Sequence, residues 1–363
     1  MVPYYKNDKG ILYYGDALDI SRRVKPESVH CCVTSPPYWG LRSYFDSDEN
    51  QLGLEKTPEL YVEHLVEIFK GIKKVLHPSG VIWLVIDDTY SVPSTKRQGE
   101  LGMDPRVSAK NMIGIPYKTV LALQKDGWVW RCDCIWDAPN KRPEPMDDRP
   151  TRTHEYVYFL TKEPYYFYDK IPVFEKIQHS NKFAGDRTKV KDETGDMFRG
   201  GHMKKRPLAG KNMRAILRIP IEPTKDPHHA AFPSKLVAKY IKAGTSLKGC
   251  CSKCFAPIKR IVEPEDPLNP YESMKVTVGW EPTCKCNADI IPCTVLDPFA
   301  GRGTTLMTAE DLGRNWIGVE ITPESIEIAK QNIVNRKLGL LPTNVDSIQN
   351  GLFNKDELDI AVK

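Results

Sequence analysis

Apolar positions along this chain of 363 residues alternate between short runs of strand length and stripes at helical spacing, the pattern of a parallel sheet joined by crossover helices. Ile11 to Tyr14 reads as a strand ending at Gly15-Asp16, and after a short helix Ser28 to Val33 reads as the next. That strand is cut off at Thr34-Ser35-Pro36-Pro37-Tyr38-Trp39, since neither proline can donate to a ladder. Thr57 has the character of an N-cap with Pro58 at the first helical position. Tyr61, Leu65, Ile68, Phe69, Ile72 and Leu76 form the apolar stripe of that helix, which His77-Pro78-Ser79-Gly80 ends. Val81 to Ile86 is continuously apolar, as expected of a strand covered on both faces, with Asp87-Asp88 at its carboxyl end.

A helix over 116–125 and strands over 128–136 and 155–160 follow. From 177 to 213 the periodicity fades while Gly, Lys and Arg accumulate, the signature of a loop-rich insertion. Beyond it come a helix over 233–242, a cysteine-rich insert over 249–293, a strand over 294–297, and helices over 304–312 and 324–336 flanking a strand over 315–320. The last fifteen or so residues are polar, and there is no internal repeat or low-complexity tract. The pattern implies an α/β fold.

Hydrophobic residues are 40% of the chain and charged residues 27%, enough apolar side chain for a sizeable core, which excludes wholesale disorder and a small stapled scaffold. No apolar stretch follows the first basic residues, and no run approaches the roughly 20 apolar residues that span a bilayer. A cytoplasmic protein without membrane contact is therefore expected, and its ten cysteines read as thiols or metal ligands before disulfides. Net charge is +5, yet the segment from Lys176 to Arg218 alone holds twelve Lys/Arg against four acids, a net +8 that leaves −3 for the remainder.

Two short motifs carry chemistry. Asp297-Pro298-Phe299-Ala300-Gly301-Arg302-Gly303-Thr304-Thr305 lies between a strand and a helix, where two glycines let the backbone approach a ligand outside the sheet's carboxyl edge. The third glycine of a dinucleotide fingerprint and the lysine of a nucleoside triphosphate loop are both missing. Glu320 closes the next strand about twenty residues on, where a carboxylate can take both hydroxyls of a ribose. The second motif, Ser35-Pro36-Pro37-Tyr38, sets a hydroxyl and a carbonyl at fixed spacing beside an aromatic face. That pair suits a planar amine with two N–H donors.

These motifs, in this order, resemble the S-adenosylmethionine-dependent amino-methyltransferases of DNA, in the circularly permuted β class, where the catalytic motif precedes the cofactor motif. The resemblance implies a Rossmann-like class I methyltransferase fold, with a mostly parallel central sheet and helices on both faces. It implies Ser35, Pro36, Pro37 and Tyr38 as catalytic residues, and a cofactor site of Asp297, Phe299, Gly301, Gly303, Thr304, Thr305 and Thr34, with Glu320 on the ribose. Asp16 matches a strand-end aspartate near the adenine ring, and Phe232-Pro233-Ser234-Lys235-Leu236 resembles the helix start that closes over the methionine moiety through Phe232 and Ser234. Segments 136–140 and 149–155 resemble those around the target pocket. The implied organisation is a catalytic half over 1–140, a target-recognition region over 141–225, a cofactor half over 226–248 and 294–340, the cysteine-rich insert over 249–293 and a tail over 341–363.

An exocyclic amine conjugated to a base is a poor nucleophile, so acceptors on its hydrogens must favour the pyramidal form as attack begins. The resemblance gives that task to Ser35 Oγ and the Pro36 carbonyl, with Tyr38 stacked on a base flipped from double-stranded DNA. Transfer from a sulfonium needs in-line positioning, so Cys31 and Cys32 read as buried strand residues. Serine at the first position is typical of enzymes acting on N4 of cytosine, with N6 of adenine the alternative. A non-catalytic zinc-containing nucleic-acid-binding protein is the alternative from another class; the intact motifs argue against it. A bacterial or phage-infected cell is the expected setting, with a cognate restriction endonuclease as a possible partner.

The insert supplies C-x-x-C and then C-x-C thirty residues later, enough for one structural zinc held by Cys251, Cys254, Cys284 and Cys286, with Cys250 as a substitute. Lys204, Lys205, Arg206, Lys211 and Arg214 in the basic segment are expected to meet DNA phosphates, whereas His228 and His229 read as packing or capping residues.

Overall fold

The apolar run Val81–Ile86 is buried along its whole length at the middle of a nine-stranded sheet. A computed structural model describes residues 1–40, 51–91, 107–175, 211–222, 232–264, 267–268 and 275–341. The strands are β1 (Val2–Lys6), β2 (Gly10–Tyr14), β3 (Val29–Thr34), β4 (Leu76–Ile86), β5 (Val129–Asp137), β6 (His154–Thr161), β7 (Ile216–Arg218), β8 (Cys250–Cys251), β9 (Ile258–Pro264), β10 (Lys275–Pro282), β11 (Ile290–Ile291), β12 (Thr294–Asp297) and β13 (Asn315–Glu320). The helices are α1 (Ile20–Arg23), α2 (Pro58–Val75), α3 (Ile115–Lys125), α4 (Ser234–Gly244), α5 (Thr304–Asp311) and α6 (Pro323–Lys337).

The large sheet runs β1-β2-β13-β12-β3-β4-β6-β5-β7. From β2 to β4 every neighbour is parallel; β6 runs antiparallel to both β4 and β5, and β1 antiparallel to β2. Alternation along β4 separates two core layers, because successive side chains leave opposite faces. Val81, Trp83 and Val85 join residues of α4, α5 and α6, while Ile82, Leu84 and Ile86 join residues of α2 and α3. Trp83 is sandwiched between the rings of Phe159 and Tyr240, with centroids 4.1 and 4.2 Å away. Cys31 and Cys32 are fully buried, one in each layer.

Several elements depart from the expected pattern. Residues 77–80, expected to end α2, belong to the start of β4 across a shift in register between Val29 and Cys31. β1 is a largely exposed edge strand and β7 an edge strand of three residues, so neither carries a periodic signal. The insert holds strands of its own, the antiparallel hairpin β9–β10 and the short pair β8–β11. A buried ion pair, Arg260 Nε to Asp169 Oδ2 at 2.9 Å, ties that hairpin to the body. Among the described residues no helix is long and apolar enough to cross a membrane.

Candidate active site and cysteine cluster

Val295 and Leu296 of β12 pair in parallel with Cys31 and Cys32 of β3, so the two strands release their motifs side by side. Thr34 Oγ1 donates to Asp297 Oδ1 at 2.6 Å, and the Phe299 N–H donates to the same oxygen at 3.1 Å. Thr305, in the first turn of α5, donates to the Val33 carbonyl at 3.2 Å. Burial pushes the Asp297 carboxyl up to about 6, a rise that the Thr34 hydroxyl opposes.

Past Asp297 the chain turns through Gly301 and Gly303, both left-handed at φ +50° and +84°, which L side chains rarely adopt. Gly303 precedes Thr304, the first residue of α5, so the turn feeds a helix N-terminus that no capping side chain occupies. The Gly301 N–H donates to Glu320 Oε2 at 2.8 Å. Glu320 Oε1 already takes the N–H groups of Ile321 and Thr322, at 3.1 and 2.9 Å, and the Thr322 hydroxyl. Oε2 therefore keeps acceptor capacity that Oε1 has used. Asp16, at the end of the neighbouring β2, is exposed and accepts the Leu18 N–H at 2.9 Å. Ser234 at the start of α4 donates to Glu222 at 2.7 Å, and Phe232 packs against the α4–α6 core layer. Phe299 and Tyr38 both pack against the other layer.

Tyr61 of α2 donates to the Pro37 carbonyl at 2.8 Å and so pins the double-proline turn, while among the described residues nothing donates to the Pro36 carbonyl. Tyr38 Oη lies 3.2 Å from Ser35 Oγ and 2.7 Å from Glu155 Oε2. Burial, then the Glu155 and Asp87 carboxylates, hold the Tyr38 phenol well above its ordinary pKa. Lys141 Nζ bridges Glu155 Oε1 at 3.1 Å and Asp87 Oδ2 at 3.0 Å, and the buried Arg152 pairs with Asp87 from the other side. Asp88 instead turns back to cap α3 through the N–H groups of Gly114 and Ile115. Lys141 and Asp87 were not marked by the sequence motifs; the one available signal was Asp87 at the carboxyl end of a buried strand.

At the opposite, amino end of the sheet, Cys251, Cys254, Cys284 and Cys286 bring their sulfurs within 4.8 Å of one another. Backbone N–H groups of Cys254 and Lys253 lower the Cys251 thiol to about 7. Four converging thiols match the donor set of a tetrahedral zinc. Cys250 faces away, into a second group with His30 and Cys293. There His30 Nδ1 accepts the Thr294 N–H at 3.0 Å, so Nε2 carries the proton and donates to the Phe255 carbonyl at 2.7 Å. With both ring nitrogens engaged, His30 is a crosslink between the insert, β3 and β12 and offers no free ligand atom.

Lys211 and Arg214 both lean on Glu175, at 3.5 and 2.8 Å, and Arg214 remains largely exposed. Lys204, Lys205, Arg206, His228 and His229 lie outside the described residues.

A family model described as DNA methylase matches residues 29–256 and 293–331 of this chain. The interval it skips holds the β9–β10 hairpin and two of the four clustered cysteines. The chain is 32% identical over 340 residues to the type II methyltransferase M.Cfr9I of Citrobacter freundii, a match covering 90% of this chain and 87% of that one. It is 31% identical over 334 residues to the type II methyltransferase M.XycI of Xanthomonas campestris pv. cyanopsidis, covering 89% and 87%. A solved structure, PvuII DNA methyltransferase (cytosine-N4-specific), shares the fold with a TM-score of 0.55 at 18% identity, over 96% of this chain and 93% of that chain.

Proposed function

Because this chain belongs to the family of S-adenosylmethionine-dependent DNA amino-methyltransferases, we propose that it methylates N4 of a cytosine flipped out of double-stranded DNA. The observation that carries the reading is the 2.6 Å hydrogen bond from Thr34 to Asp297, which joins the base-handling motif to the cofactor turn. In this reading Ser35 Oγ and the Pro36 carbonyl accept from the amine, and the Tyr38 ring stacks on the base. The turn fits the cofactor because the space beside Gly301 is open, the nearest atom to a Cβ there being the Phe299 carbonyl oxygen at 4.0 Å, and Glu320 Oε2 has capacity left for a ribose hydroxyl. Asp16, Phe299, Thr304 and Thr305 border the same edge, with Phe232 and Ser234 closing it from α4. The cofactor supplies a methyl group activated by a sulfonium. The order of the motifs, β3 before β12, supports assignment to the circularly permuted β class.

Three further assignments belong to this reading. The cysteine cluster holds a structural zinc in an insert of 249–293 too small to bury its own core. The basic segment from Lys176 to Arg218, Lys211 and Arg214 included, attracts DNA phosphate. The type II names of the relatives favour pairing with a cognate restriction endonuclease in the cytoplasm of the host cell.

Incubating the protein with S-adenosylmethionine and mixed-sequence duplex DNA, then analysing the nucleosides by mass spectrometry, tests the function. N4-methylcytosine is the expected product. N6-methyladenine would reverse the base assignment, and no methylated nucleoside from a protein that also fails to bind S-adenosylhomocysteine would return the reading to a non-catalytic zinc-containing nucleic-acid-binding protein.

A further inference from the structure

Tyr38 Oη stands between two oxygens, Ser35 Oγ at 3.2 Å and Glu155 Oε2 at 2.7 Å. A phenol has one proton and a carboxylate only accepts, so that proton points to Glu155. The lone pair left on Tyr38 Oη then takes the Ser35 hydroxyl proton. Ser35 is thereby turned so that its own lone pairs face away from Tyr38, free to accept from an amine. Reversing the polarity would aim the Ser35 proton at the substrate's own N–H groups.

We propose that Glu155 is a positioning residue that sets the direction of this hydrogen-bond chain and receives the proton released by methyl transfer. The inference rests on the methyltransferase reading above. Once the amine carries the methyl group and a positive charge, its surplus proton passes to Ser35 Oγ as the Ser35 proton passes to Tyr38 Oη and the Tyr38 proton to Glu155 Oε2. The electron pair of the broken N–H bond stays on the amine nitrogen, and no charge is left on Ser35 or Tyr38.

The surroundings suit a receiver. Glu155, the second residue of β6, precedes Tyr156, which pairs with Ile86, so the register of β4 and β6 brings Glu155 next to Asp87. Lys141 joins the two carboxylates and Arg152 pairs with Asp87, making a group of two positive and two negative charges. Lys141 holds Glu155 Oε1 at 3.1 Å, which leaves Oε2 to Tyr38. The Glu155 side chain is 13% exposed, which gives the received proton a way out to water.

A double-mutant cycle with Tyr38→Phe tests the chain. In Glu155→Gln, Lys141 takes the amide oxygen and leaves the NH₂ facing Tyr38, which reverses the polarity. Single-turnover methyl transfer with DNA should slow about a hundredfold, with S-adenosylhomocysteine affinity unchanged. In the Tyr38→Phe background, where the chain is already cut, the same substitution should cost less than about threefold. Equal losses in both backgrounds, or no loss in the wild-type background, would overturn the proposal. If Glu155→Gln does not fold, Glu155→Asp, which withdraws the carboxylate from Tyr38 but keeps its charge, takes its place in the cycle with the same outcomes. Failure of the wild-type protein to methylate DNA would instead bring down the functional reading itself.

Discussion

At their carboxyl ends β3 and β12 carry Ser35, Tyr38, Asp297 and the Gly301–Gly303 turn, while five residues back along β3, about 16 Å away, His30 anchors the cysteine-rich insert. The same two strands are thus used at both ends, with opposite chemistry. At the amino end both nitrogens of His30 are occupied within the protein. At the carboxyl end the Pro36 carbonyl, Ser35 Oγ and Glu320 Oε2 keep acceptor capacity that none of the described residues uses. A clamp satisfies its own polar groups, and a site leaves some unsatisfied until a ligand arrives. Substitutions at the two ends should therefore fail in different ways.

The largest expected effect is at the carboxyl end. Ser35→Ala should lower the single-turnover rate by about a hundredfold or more, the usual loss for one hydrogen-bonding group aimed at a reacting centre, with S-adenosylhomocysteine affinity within twofold of wild type. A loss below threefold would remove Ser35 from the chemistry and with it the contrast between the ends. Next comes the clamp. Cys254→Ser with Cys286→Ser should reduce bound zinc from about one equivalent to none and lower the melting temperature by more than about 5 °C, since metal binding to such an insert is folding free energy. Transfer at 20 °C should stay within about threefold of wild type; a loss as deep as that of Ser35→Ala would mean the ends are not separable.

A smaller effect sharpens the account of Asp297. Burial lifts its carboxyl from 3.8 to about 6, so the folded chain holds that proton more tightly than the unfolded one. The associated stability is complete below about pH 4 and is lost as pH rises through 6. The melting temperature of the cofactor-free protein, relative to Asp297→Asn, should fall across that window; parallel pH curves would contradict the burial argument. The smallest effect belongs to Lys211→Glu with Arg214→Glu, because Glu175 already neutralises part of their charge. DNA affinity should fall several-fold with a shallower salt dependence, measured by fluorescence anisotropy, while cofactor affinity holds; unchanged DNA affinity would take both residues out of the interface.

Much of the site was legible because its motifs are compact. Ser35 to Tyr38 and Asp297 to Thr305 each fit within a single turn, so prolines and glycines announce both the bend and the ligand-facing backbone. The cysteine quartet was legible for the same reason, as two close thiol pairs. Lys141 and Asp87 were not, because a lysine after a strand and an aspartate at a strand end recur in proteins that do nothing with them. The strands of the insert were overshadowed by its cysteines, and residues 77–80 read as a helix stop although proline and glycine also suit an irregular strand start.

Local order in the chain determined the elements, the two layers of the core and the chemical character of each motif, because side-chain period and backbone restriction act over a few residues. The tertiary structure alone decided which motif residues meet. Thr34 finds Asp297 across 263 residues, His30 finds Phe255 across 225, and Tyr38 finds Glu155 across 117. Such meetings depend on strand order and register, which are set by how the sheet closes its two apolar faces and which no local period encodes.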